Sequence, residues 1–219
     1  MKEYQRQFIQ LCLDNGVLRF GEFVLKSKRI SPYFFNGGNF YTGNAYLNLG
    51  KFYAETVLEN FTLAEYDILF GPAYKGITLA TCTSIGLAQK NINIPICYNR
   101  KEAKDHGEGG IMVGAPLSHK RAILIDDVIT AGTTIREAVN ITKQENGKLV
   151  GIVIALDRQE IGLKSNLSAI QEVENEFGIK VASIICLSDL IEYLQETPEL
   201  VQHIPAMLNY KKQYGIDVM

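Results

Sequence analysis

Residues Arg121 to Ala138 read RAILIDDVITAGTTIREA, and this stretch decides the fold. Ala122 to Ile125 is a short, branched, apolar run of the kind that forms a buried parallel strand. It stops at two carboxylates, Asp126 and Asp127. The chain then crosses Val128, Ile129, Thr130, Ala131, Gly132, Thr133 and Thr134 before apolar positions recur with helical spacing at Ile135, Ala138, Val139 and Ile141. Glycine allows close backbone approach to a ligand, hydroxyls donate hydrogen bonds, and the free amides of a helix start favour an anion. The turn is therefore a candidate phosphate cradle. The aspartates would repel a second phosphate, but they can accept hydrogen bonds from sugar hydroxyls or help to hold a divalent cation. The combination suits a ribose 5-phosphate. The same letters also fit an ordinary strand, turn and helix in which the acid pair caps the helix.

Strands and helices alternate on both sides of this unit. Upstream, a helical pattern over Asn44 to Glu59 leads to the strand Ile68 to Phe70, the turn GPAYKG and a helix from Ile77 to Gln89. Downstream, Val150 to Leu156 is a buried strand ending at Asp157-Arg158, followed by a helix at Ala169 to Phe177 and a strand at Val181 to Cys186. Turns that follow parallel strands all emerge at one sheet edge, where open α/β proteins bind ligands. GPAYKG, with Tyr74 and Lys75, should share a crevice with the acid pair, and Lys75 suits a diphosphate as well as plain solvent. Arg158 offers a fork matched to a carboxylate. Between the strand at Ile94 to Tyr98 and the central stretch, RKEAKDHGEGG (Arg100 to Gly110) has almost no apolar anchor. It is expected to be a mobile loop that is either solvated or closes Lys101, Lys104 and His106 over a polyanion.

Ahead of this rhythm, a helix at Tyr4 to Asp14 precedes two strands, Phe20 to Leu25 and Tyr33 to Phe35, joined by the basic turn KSKRISP. This hairpin lies outside the βαβ pattern and reads as a small hood. Its adjacent aromatics Phe34 and Phe35 fit one inward and one outward position. Ser188 is expected to cap a helix through Leu194, and Pro205 to kink or break the last helix.

The 219 residues, 47% of them hydrophobic, suffice for one sizeable core and a single domain, 1–219, with no Pro-, Gly- or Ser-rich linker. With 22 basic and 24 acidic residues the formal charge is -2, so nothing in bulk electrostatics calls for nucleic acid or an anionic membrane. Cys12, Cys82, Cys97 and Cys186 lack metal-like spacing and read as reduced core residues of a cytoplasmic protein. No run is apolar enough to span a bilayer, and MKEYQRQFIQ lacks the layout of a signal peptide. There is no GxGxxG opening a first βα turn and no Walker lysine near Gly132, which excludes a dinucleotide or P-loop site.

The central stretch resembles the phosphoribosyl pyrophosphate (PRPP) signature of type I phosphoribosyltransferases. LKSKRISPYFF, GPAYKG, NRKEAKDHGEGG, DDVITAGTT and LDRQE, in this order across almost the full length, are similar to the orotate phosphoribosyltransferase family in its bacterial and fungal form. The resemblance implies an α/β fold with a central, mostly parallel sheet flanked by helices, a small N-terminal hood mainly from residues 1–40, and a lid at 100–110. It implies transfer of phosphoribose from PRPP to orotate, yielding orotidine 5'-monophosphate and pyrophosphate in pyrimidine (UMP) biosynthesis. Mg2+ would be held mainly through PRPP and water, with no direct protein ligand. On this resemblance Asp126 to Thr134 hold the ribose 5-phosphate, with Asp126 and Asp127 on the ribose hydroxyls. Lys26, Tyr74, Lys75, Arg100, Lys101, Lys104 and His106 contact PRPP, and Phe34, Phe35, Thr130 and Arg158 receive orotate. Lys104, Asp126 and Asp127 would be the catalytic residues. Family members are homodimers whose lid reaches the neighbouring site.

Two rivals share the cradle. A PRPP-binding regulator without catalysis should carry a basic DNA-binding face, which is missing here. A transferase for another base needs no carboxylate receptor, so Arg158 and the Phe pair speak against it.

Overall fold

The central stretch forms a strand and a helix in the computed structural model, which describes residues 1–104, 110–130, 132–162 and 165–216. In chain order the elements are α1 (Glu3–Asp14), β1 (Leu18–Val24), β2 (Ile30–Phe35), α2 (Gly43–Asn60), β3 (Ile68–Gly71), α3 (Lys75–Ala88), β4 (Ile96–Lys104), β5 (Gly110–Gly114), β6 (Arg121–Val128), α4 (Thr133–Gln144), β7 (Lys148–Asp157), α5 (Ala169–Phe177), β8 (Lys180–Cys186), α6 (Leu187–Glu196) and α7 (Ile204–Tyr214). Short 3-10 turns occupy Gly37–Asn39 and Pro198–His203. One sheet has six strands in the order β5-β4-β3-β6-β7-β8, and β1 and β2 form a separate antiparallel hairpin. Every pairing in the large sheet is parallel except β4 with β5.

Strand alternation sorts the sheet residues between two cores. Leu69, Ile123, Ile125, Val153 and Ala155 face one way and pack with α1, α2, α3, α6 and α7. Ile68, Phe70, Ala122, Leu124, Ile152 and Ile154 face the other and pack with Ile135, Ala138 and Val139 of α4 and Val173 of α5. Burial on both faces explains why β6 and β7 read as continuous apolar runs rather than alternating ones. The hairpin rests on the C-terminal segment: Phe20 stacks on His203 with ring centroids 5.3 Å apart, and Tyr33 meets Tyr210 edge-on at 6.3 Å. None of the described helices is long and apolar enough to cross a membrane, and all four cysteines are unpaired.

Helices α2 and α3 approach closely where Gly50 faces Gly86, and a Cβ added at Gly86 would overlap the carbonyl of Gly50. A Cβ at Gly50 would in turn overlap the carbonyl of Cys82, and both obstacles are backbone, so neither side can yield cheaply. Gly86→Ala is expected to destabilise the fold by roughly 1–3 kcal/mol. That lowers Tm by roughly 2–12 °C for a chain of this size, readable by differential scanning calorimetry.

Several local expectations differ from the structure; β6 does not stop at its acids but carries Asp126 and Asp127 inside the strand and runs to Val128. Pro95 lacks an N–H, and β4 starts one residue later, then runs on through Arg100–Lys104, where the charged composition suggests a loop. β5 pairs back on it. Residues 105–109 of the expected lid lie outside the described residues. Ser188 is inside α6; the helix is instead closed by Asp189, whose carboxylate accepts the Cys186 N–H at 2.7 Å. Pro205 stands in the first turn of α7, so it marks a helix start rather than a kink.

Candidate active site

From β3 the chain passes through α3 to β4 on one side, while β6, on the other side of β3, leads on to β7 and β8. The strand order therefore reverses between β3 and β6, and a crevice opens beyond their C-terminal ends. Lys75, the first residue of α3, and Asp127, near the end of β6, meet across it with Nζ 2.6 Å from Oδ2. The lysine side chain is 54% exposed and the aspartate 10%. The turn between β3 and α3 is pinned by Ala73, whose N–H donates to the buried Asn99 side chain of β4 at 2.9 Å. Tyr74 projects into solvent at 73% exposure.

Both carboxylates of β6 are buried. The Asp126 Oδ1 accepts the Asp127 N–H at 2.8 Å, and Asp127 Oδ1 accepts the Val128 N–H at 3.0 Å. Burial, and then the charge of the adjacent Asp127, push the Asp126 carboxyl up to about 7. The buried Tyr53 of α2 donates its hydroxyl to the Asp126 carbonyl at 2.8 Å and so fixes α2 to the end of the strand. From the hood side, the Gly37–Asn39 turn lies directly on the acid pair. A Cβ at Gly37 would stand 2.8 Å from Asp127 Oδ2. Phe35, Gly37, Phe40, Tyr53, Lys75 and Asp127 line the resulting cleft.

Past Val128 the side chain of Ile129 is buried in the second core, so only its backbone can serve a ligand. Thr130 is exposed, and Ala131 lies outside the described residues. Gly132 takes a left-handed conformation, φ 69°, and α4 begins at Thr133 with no side-chain cap on its first amides. Thr133 is exposed and Thr134 half-buried. An uncapped helix start directly behind a glycine is an anion site by its dipole and its free N–H groups.

The remaining predicted residues surround this centre. Lys26 is exposed at the tip of the β1–β2 hairpin. Arg100 donates to the carbonyls of Gly110 and Met112, at 3.3 Å each, and so braces β4 against β5. Lys101 lies 3.6 Å from Glu137 of α4. Lys104 ends β4, and His106 lies outside the described residues. The two aromatics divide as strand geometry requires. Phe35 faces the cleft, while Phe34 stacks on Phe23 at 5.5 Å under the Arg19 guanidinium. Arg158, just beyond β7, is half-buried, with its guanidinium 4.3 Å over the Tyr33 ring. Its Nε donates to Glu160 Oε1 at 2.8 Å and its Nη2 to Ser31 Oγ at 3.1 Å.

Tyr53 enters this picture without having been singled out from sequence, and Gly37 and Glu160 without a role assigned to them. The hydrogen bond of Tyr53 and the packing of Gly37 are tertiary contacts with no local signature. Glu160, two residues from Arg158, had one: a carboxylate that close to a strand-end arginine. Among the described residues no group of three or more His, Cys, Asp or Glu side chains could enclose a metal ion. The arrangement offers an uncapped helix start suited to an anion, a buried acid pair with one lysine against it, and a half-buried arginine.

Comparison with known proteins agrees with this geometry. Residues 37–184 match the family described as the phosphoribosyl transferase domain. Orotate phosphoribosyltransferase of Pseudomonas aeruginosa is 56% identical over 217 residues, covering 99% of this chain and 100% of the relative. The enzyme of the same name from Yersinia enterocolitica is 54% identical with the same coverage. The crystal structure of orotate phosphoribosyltransferase from Francisella tularensis superposes with a TM-score of 0.86 at 42% identity, covering 95% of this chain and 99% of that one. The chain belongs to the phosphoribosyltransferase family, among the orotate phosphoribosyltransferases.

Proposed function

We propose that the chain transfers the 5-phosphoribosyl group of PRPP to orotate, forming orotidine 5'-monophosphate and pyrophosphate in UMP biosynthesis. The observation that carries this reading is the meeting of Lys75 and Asp127, 2.6 Å apart, beside the uncapped start of α4. One edge of the sheet thus offers partners for every charged part of PRPP. The α4 amides and Thr133 and Thr134 take the 5-phosphate, Asp126 and Asp127 take the ribose hydroxyls, and Lys75 takes the diphosphate. Tyr74, Arg100, Lys101, Lys104, His106 and Lys26 complete the diphosphate side, and Phe35, Thr130 and Arg158 receive the acceptor.

As the bond from ribose to diphosphate lengthens, positive charge grows on the sugar and negative charge on the leaving group. Stabilising that leaving group is then worth more than a strong nucleophile, and cations gathered around it strengthen as the charge separates. Mg2+ fits here as a hard cation that would be held mainly through the oxygens of PRPP and water, beside the acid pair that takes the ribose hydroxyls. When bound, Mg2+ neutralises diphosphate charge. The enzyme works in the cytoplasm as a homodimer, with the lid that Lys104 leads into serving the neighbouring site.

The test is an absorbance assay of orotate loss with PRPP and Mg2+, with uracil and hypoxanthine alongside. Turnover with orotate alone is expected. Binding of PRPP without turnover of any base would mean a sensor, and preference for another base would mean that Arg158 is misassigned. Arg158→Ala should remove a charge-assisted pair of about 1.5–3 kcal/mol, raising KM for orotate roughly 10- to 150-fold while KM for PRPP changes little. Unchanged orotate dependence would sink the assignment.

A further inference from the structure

Beyond the end of β7, two arginines share one carboxylate. Glu160 Oε1 lies 2.7 Å from Arg158 Nη2, and Glu160 Oε2 lies 3.5 Å from Arg29 Nη1. The side chains of Arg29 and Glu160 are each 12% exposed and that of Arg158 is 16% exposed, so solvent screens these charges little. Arg158 is held on several sides at once. Tyr33 covers one face of its guanidinium, Glu160 takes the Nε and Nη2 edge, and Ser31 accepts from Nη2. The Tyr210 hydroxyl also interacts with both Arg158 and Glu160. Arg29 comes from the hairpin turn, donates to the Ile161 carbonyl at 2.8 Å and lies 4.7 Å over the Tyr214 ring. The Glu160 backbone is anchored in turn by an antiparallel bridge to Gly215, flanked by hydrogen bonds from Ile161 to Tyr214 and from Ile216 to Gln159.

We propose that Glu160 is the positioning residue of the acceptor site, fixing the Arg158 guanidinium for a planar carboxylate and tying it through Arg29 to the hood. This rests on Arg158 being the receptor for the acceptor's carboxylate. Two guanidinium charges against one carboxylate leave one positive charge, which a bound carboxylate neutralises. Without Glu160 the two arginines would repel each other, and Arg158 would lose the partner that sets its plane. An arginine that is immobilised before the ligand arrives loses less rotamer entropy on binding. The contact also links acceptor binding to the position of the hairpin that carries Phe35 and leads into Gly37.

Steady-state kinetics with each substrate varied separately test this on purified Glu160→Gln, Ser31→Ala, Arg158→Ala and the Glu160→Gln/Arg158→Ala double variant. Glu160→Gln keeps the shape and removes the charge. It is expected to raise KM for orotate about tenfold, with kcat and KM for PRPP within about twofold. Glu160→Asp should recover part of the loss, and the double variant should be no worse than Arg158→Ala alone, since both changes act through one guanidinium. Ser31→Ala is expected to raise KM for orotate about threefold by removing another contact of the guanidinium, and to lower Tm as well, since the buried hydroxyl also donates to the Tyr33 carbonyl at 2.7 Å. An unchanged or lowered KM for orotate in Glu160→Gln, while Arg158→Ala still raises it, overturns the proposal. So does a parallel rise in both KM values together with a fall in Tm, which would mark Glu160 as structural. If Glu160→Gln does not fold, Glu160→Asp takes its place: a raised KM for orotate with KM for PRPP and Tm unchanged supports the proposal, and an unchanged KM for orotate overturns it. If Arg158→Ala itself leaves orotate unaffected, the assignment of Arg158 fails first and this proposal with it.

Discussion

Lys75→Ala is expected to lower kcat/KM for PRPP about 100-fold while leaving Tm almost unchanged, because the lysine is worth more to the ligand than to the fold. In the free site its ammonium lies 2.6 Å from Asp127, but with half of the side chain in water the pair adds little stability. With PRPP bound, the same ammonium would face a leaving group that gains charge as the reaction proceeds, in a crevice already closed below by β3 and β6. A charge-assisted hydrogen bond there contributes about 1.5–3 kcal/mol, which spans the predicted loss. Lys75→Arg should restore the charge without the point geometry and recover only part of the rate. Lys75→Ala combined with Asp127→Asn should fall short of the sum of the single losses, since the two side chains touch. A kcat/KM for PRPP within threefold of wild type would show that Lys75 does not meet the diphosphate.

The elements that position this site were legible because their residues are buried on both faces. Ala122 to Ile125 and Val150 to Leu156 could only be core strands, and the acids and arginine after them could only stand at the sheet edge. Gly132 and the threonines marked the start of α4 for the same local reasons that make it an anion site. What sequence did not show was pairing. Arg100 to Lys104 and Gly110 to Gly114 form a hairpin at the sheet edge, where neither face needs apolar residues, so the alternation that marks a strand is missing and charge reads as loop. The aromatic pair was ambiguous by nature, since a strand must send Phe34 and Phe35 to opposite faces, and only the packing on Phe23 and Arg19 says which is which. Arg158 stood out as a charge at a strand end, but its engagement by Glu160, Ser31 and Tyr33 depends on how the hood folds back over β7. That contact spans more than a hundred residues of chain.

The largest kinetic effect is expected from Lys104→Ala. Lys104 closes β4 opposite Gly110, at the foot of the segment proposed as the lid. A cation that reaches the diphosphate only when this segment closes contributes where charge is greatest, in the transition state, and little to the initial complex. Removal of one such donor costs about 100- to 1,000-fold in kcat, and KM for PRPP should move only a few fold. Loss of kcat and PRPP affinity in equal measure would make Lys104 a ground-state contact, and a change confined to KM would remove it from the chemistry. The same variant asks whose site the lid serves. Lys104→Ala and Arg158→Ala subunits, unfolded together and refolded as a mixture, should give hybrid dimers with one intact site, built from Lys104 of one subunit and Arg158 of the other. At orotate concentrations too low for Arg158→Ala to work, random pairing predicts about a quarter of wild-type activity from two nearly inactive parents. Activity no greater than that of the parents would place each lid over its own subunit's site, because a cis arrangement leaves every site of the hybrid with one of the two lesions.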